Sequence, residues 1–90
     1  MAPEIVLFKS EERKQLSEVA EFLRQLADRL AQNEVTLRQG EDELTLSIPG
    51  QVVLELKVEE EAKRSGNKHS LEIEIEWTEG EAGSSGVVLG

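Results

Sequence analysis

The chain has 90 residues, enough for one domain and too few for two that each bury a core. It has no Cys, 19 acidic and 10 basic side chains, and a net charge of −9. These counts exclude disulfide staples, thiolate zinc sites and thiol catalysis. They also argue against a nucleic-acid or anionic-membrane binder, which needs clustered Lys and Arg.

Ile5, Val6, Leu7 and Phe8 predict a short strand over residues 4–8, apolar on both faces. That run is too short for a signal-peptide core and follows an acid rather than a basic segment. No apolar run is long enough to cross a membrane, so the chain reads as cytoplasmic. A helix is expected over 11–32, because Leu16, Val19, Ala20, Leu23, Leu26, Ala27 and Leu30 recur at three- and four-residue steps and share one face. Ser10 and Ser17, each followed by acids, are the two candidate N-caps, and the start is placed near Ser10. Asn33 can take the left-handed conformation that ends a helix.

Beyond Asn33 the period changes from 3.6 to 2. Val35 and Leu37, then Leu44, Leu46 and Ile48, then Val52, Leu54, Leu56 and Val58, then Leu71, Ile73, Ile75 and Trp77 each alternate with mostly polar residues. Gln39-Gly40-Glu41-Asp42 turns the first pair and sets Leu37 opposite Leu44, Val35 opposite Leu46 and Arg38 opposite Glu43. Pro49-Gly50-Gln51 is expected to turn a second hairpin with Ile48 opposite Val52. A longer loop, roughly Glu60 to Lys68, is expected to bring Leu56 opposite Ile75 and Leu54 opposite Trp77. The class is therefore α+β in the order β-α-β-β-β-β. A short N-terminal strand and one amphipathic helix accompany a four-stranded antiparallel meander over residues 1–78, and a Gly/Ser-containing flexible tail occupies 79–90. One helix on one sheet is a thin core, so a homodimer formed through a sheet edge or the first strand is a route to a larger one.

The charge is unevenly placed. Residues 1–38 carry 7 acids and 6 bases, whereas residues 39–90 carry 12 acids and 4 bases. In the last strand Glu72, Glu74 and Glu76 project to one side about 6.7 Å apart. The expected register sets Glu76 opposite Glu55, Glu74 opposite Lys57 and Glu72 opposite Glu59. These six residues form the candidate interaction face: an acidic platform, or simply a solvated face that keeps an edge strand from pairing with other chains. A flat carboxylate row does not converge as a Ca²⁺ site requires, so no metal or other cofactor is assigned. Trp77 shares the parity of Leu71, Ile73 and Ile75 and is a core residue or an interface anchor. His69 stands alone without a second ligand or a nucleophile partner, and no catalytic constellation is present.

Residues 16–27 (Leu16-Ser17-Glu18-Val19 through Leu26-Ala27), then Asn33-Glu34-Val35-Thr36-Leu37, then Leu71-Glu72-Ile73-Glu74-Ile75-Glu76-Trp77, resemble the amphi-Trp domain family. Those are short, usually stand-alone prokaryotic proteins named for an amphipathic C-terminal strand ending in Trp. The resemblance covers about residues 4–78. It implies the strand and its Trp, and brings no activity, cofactor or catalytic residue with it. The expected function is a non-enzymatic module that binds a protein partner or its own copy through a sheet edge or the open acidic face. The alternative is a small-ligand or cation-binding protein.

Overall fold

A computed structural model describes residues 3–79 of the chain. It contains one helix, α1 (Leu16–Leu30), and four strands: β1 (Glu34–Gln39), β2 (Asp42–Ser47), β3 (Val53–Glu61) and β4 (Lys68–Glu76). The α+β class holds. The strands form two antiparallel pairs, β1–β2 and β3–β4, rather than one four-stranded meander. The chain divides into two compact units, Met1–Ile48 and Pro49–Gly90. The tail expected over 79–90 lies, from residue 80 onward, outside the described residues.

In the first unit, residues 3–15 contain neither helix nor strand, so the strand expected over 4–8 is not formed there. Val6 to Lys9 instead run beside Gln39 and Asp42–Leu44, bounding a groove of about 320 Å³. The helix starts five residues later than the sequence suggests. Gln15, extended at φ −73° and ψ 147°, is the N-cap, and its backbone N–H donates to Glu18 Oε1 at 3.4 Å. Neither Ser10 nor Ser17 caps it. Residues 11–15 are all polar or charged, and the local bond that forms at the helix start is between Gln15 and Glu18, three residues apart.

The other end behaves as expected. Asn33 has φ +61°, its backbone N–H reaches the Leu30 carbonyl at 3.0 Å, and the chain turns directly into β1. The first hairpin has the predicted register, with Val35 opposite Leu46, Leu37 opposite Leu44 and Arg38 opposite Glu43. Gly40, at φ +60°, occupies the two-residue loop between Gln39 and Asp42. On one face Thr36 and Thr45 share a hydrogen bond of 2.9 Å, and Arg38 Nε meets Glu43 at 3.0 Å. On the other, Val35 is the core: it is 4% exposed, with Leu37, Leu44, Leu46 and the helix residues Leu26 and Leu30 half-buried.

The expected Ile48–Val52 pairing is not among the strand ladders, and Ile48 is bonded to Asn33 instead. Its N–H donates to the Asn33 carbonyl at 2.8 Å, and its own carbonyl accepts from Asn33 Nδ2 at 3.0 Å. These two bonds carry the β1–β2 ladder one step further. β2 ends at Ser47.

The second unit is a long hairpin. β3 and β4 pair over nine residues, from Val53 opposite Glu76 to Glu61 opposite Lys68. The connection is the six residues 62–67. Gly66, at φ +123°, closes it with its N–H on the Lys63 carbonyl at 3.2 Å, and Asn67 Nδ2 donates to Glu60 Oε1 at 3.2 Å.

Candidate interaction surface

Alternation along β3 and β4 separates two chemistries. One face carries Leu54, Leu56 and Val58 on β3 and Leu71, Ile73 and Ile75 on β4. The other carries Glu55, Lys57 and Glu59 on β3 and Glu72, Glu74 and Glu76 on β4. All six members of the candidate interaction face therefore lie together, as their parity required. Their pairing differs from expectation by two residues. Glu55 faces Glu74, Lys57 faces Glu72, Glu59 faces Ser70 and Glu76 faces Val53. Likewise Leu54 rather than Leu56 faces Ile75, and Leu56 rather than Val58 faces Ile73. A shift of two preserves every side chain's face, so hydrophobic patterning cannot detect it. The observed register also replaces two repelling cross-strand pairs by one, and keeps Lys57 opposite an acid, Glu72 in place of Glu74.

Lys57 is the positive centre of the face. Its Nζ lies 3.1 Å from Glu59 and 3.9 Å from Glu72. The hydrogen bond and charge of Glu59, then the charges of Glu72 and Glu55, hold the ammonium above its ordinary value of 10.5. Around Glu74 the balance is reversed. Glu76, close enough to share a proton with it and carrying like charge, raises the Glu74 carboxyl above its ordinary value of 4.5, and Lys57 offsets only part of this. Oxygens of Glu55, Glu74 and Glu76 lie within 4.8 Å of one another, all on exposed side chains. A hard divalent cation takes roughly six to eight oxygens, and three carboxylates on an open strand pair supply a minority of them.

The Amphi-Trp domain model matches residues 1–89. The chain belongs to the Amphi-Trp domain family. No curated protein and no solved structure matches it. In this Amphi-Trp domain β4 is the amphipathic strand, and Trp77 follows its last residue, Glu76, directly. Trp77 is half-buried.

The apolar face of the Amphi-Trp hairpin is the more unusual surface. No residue of β3 or β4 is buried, and Leu54, Leu56, Val58, Leu71 and Ile73 are between 53% and 74% exposed. Its loop end is closed by polar groups: His69 Nδ1 lies 3.5 Å from Glu60 Oε2, and Asn67 holds the same carboxylate. His69 and Asn67 thus share one carboxylate, that of Glu60.

Sequence reasoning missed one grouping. In the first unit Arg29 and Gln32, at the end of α1, and Glu34, Thr36 and Arg38, on one face of β1, line an open polar groove of about 560 Å³. The signal was present in the two-residue spacing of the three β1 side chains, but the position of the helix end beside them was not. No described helix is long and apolar enough to cross a membrane.

Proposed function

We propose that this Amphi-Trp domain is a non-enzymatic protein-interaction module whose β3–β4 hairpin engages a protein partner through its apolar face. The carrying observation is the exposure of Leu54, Leu56, Val58, Leu71 and Ile73 on one face of a hairpin in which nothing is buried. A two-stranded hairpin is marginal in water alone and gains stability when a second layer covers its apolar face. The acidic face does different work in this reading. Glu55, Glu59, Glu72, Glu74 and Glu76 keep the opposite side in water and repel nucleic acid and other acidic surfaces, which restricts the partners that can approach.

Affinity capture with three versions of the chain, as a measured comparison, tests this. Leu56→Asp with Ile73→Asp should lose the associated protein. Glu72, Glu74 and Glu76 each changed to Lys should keep it, with altered salt dependence. Loss only in the Lys variant would move the contact to the acidic face. A second reading, cation binding at Glu55, Glu74 and Glu76, is favoured by their convergence within 4.8 Å. It requires a saturable rise in melting temperature with Ca²⁺ beyond that given by NaCl of equal ionic strength.

A further inference from the structure

We propose that the partner of the hairpin's apolar face is a second copy of the same chain, packed face to face about a two-fold axis near the Leu56–Ile73 pair. This rests on the reading that the apolar face is an interaction surface, and it names the occupant.

Area is the first argument. Leu54, Leu56, Val58, Leu71 and Ile73, each more than half exposed, offer about 100 Å² apiece to a covering layer, and half-buried Ile75 adds less. Two copies would together cover about 1,000–1,200 Å², the lower edge of what specific interfaces bury. Symmetry is the second. A two-fold contact needs a patch complementary to itself. The cross-strand pairs Leu54–Ile75, Leu56–Ile73 and Val58–Leu71 form three similar aliphatic rungs with Leu56–Ile73 in the middle. Rotation about the middle rung lays each outer rung on the opposite outer rung of the second copy.

Charge is the third argument. Two chains of net charge −9 repel, and association succeeds only where the carboxylates stay away from the contact. The hairpin arranges this. Glu55, Glu59, Glu72, Glu74 and Glu76 all point away from the aliphatic face, so the two acidic faces end on opposite outer surfaces of the stacked pair. Stacked sheets lie about 10 Å apart, beyond the screening length of about 8 Å at physiological salt. The one carboxylate on the apolar side, Glu60, sits at the loop end, where it is tied to His69 and Asn67. The same rotation sends the two loop ends to opposite ends of the pair. A basic partner, by contrast, would find on this face of the strands only Glu60, already tied to His69 and Asn67.

The test uses the full chain, purified alone. Sedimentation equilibrium should show a monomer–dimer equilibrium, and Leu56→Asp with Ile73→Asp should raise the dissociation constant at least about tenfold. Because the chain has no Cys, single thiols report orientation without background. A bismaleimide spanning the roughly 10 Å between stacked sheets should join two copies of Ile73→Cys and leave Glu72→Cys on the outer face unjoined. This second measurement tolerates a folding defect in the double Asp variant. A chain that stays monomeric up to millimolar concentration overturns the proposal, as does a dimer cross-linked equally through Glu72→Cys. A monomeric chain that still captures a different protein through Leu56 and Ile73 overturns the second-copy proposal alone. Absence of any association that depends on these residues overturns the interaction reading as well.

Discussion

Val35 and Val53 have the same side chain on two strands but opposite surroundings, 4% against 62% exposed. Truncating each to Ala removes the same two methyl groups and the same strand preference of valine, so the difference between the two costs isolates burial. At about 0.8 kcal/mol per buried carbon, Val35→Ala forfeits about 1.5 kcal/mol of burial, and imperfect collapse around the vacated space brings the cost to about 2 kcal/mol. Val53, little more than one-third buried, forfeits about 0.6 kcal/mol by the same scale. Urea unfolding at fixed protein concentration gives both values by linear extrapolation. Far-UV circular dichroism reports the helix-containing unit for Val35→Ala, and Trp77 fluorescence reports the hairpin for Val53→Ala. Val35→Ala should therefore cost at least about 1 kcal/mol more than Val53→Ala. Equal costs would refute the assignment of Val35 as the core of the first unit.

Two further outcomes follow from local geometry. Asn33→Ala leaves a β-carbon at φ +61° without the polar side chain that makes Asn tolerant of that region, and deletes the bond to the Ile48 carbonyl, a loss of about 2 kcal/mol. Asn33→Gly keeps the backbone conformation and should cost less than Ala in the same urea assay. Glu74→Gln removes the like charge beside Glu76. Because the folded Glu74 carboxyl titrates above its ordinary value of 4.5, its favourable share of stability is full below that value and lost as pH rises through the folded value. The variant should melt higher than the native chain at pH 7, and the gap should close as pH falls toward 4.5. A gap that stays constant with pH would show that Glu74 feels no such repulsion.

Legibility of the fold in the sequence tracked the length of each connection. The two-residue loop at Gly40 leaves one register for β1 and β2, and Leu37 opposite Leu44 could be read directly. The six-residue connection 62–67 imposes no such limit, and alternation is blind to a slip of two, so the second register was missed while every face was right. The meander failed for a different reason. Pro49-Gly50 has good turn chemistry, but β2 ends at Ser47 and β3 begins only at Val53 with no ladder joining them, and local pattern alone cannot show that a turn leaves its flanking strands unpaired. For the same reason membership of the acidic face was readable from parity, whereas the convergence of Glu55 with Glu74 and Glu76 depended on the register. The helix start was misplaced because Ser10 has the right side chain for a cap, whereas the bond that forms at the start is between the Gln15 N–H and Glu18, a pairing that favours neither serine.

The carboxylate on every second residue of β4 has a further consequence, for fibril growth. Leu71 to Trp77 alternates a bulky apolar residue with Glu, a length and β-preference that suit cross-β stacking. In an in-register stack each Glu72, Glu74 and Glu76 would lie about 4.8 Å from its own image in the layers above and below. That is well inside the distance over which salt screens, so every added layer meets three new like-charge contacts. Near neutral pH the segment most able to zip into a fibre carries its own electrostatic brake. Acid, by protonating the same three side chains, releases it.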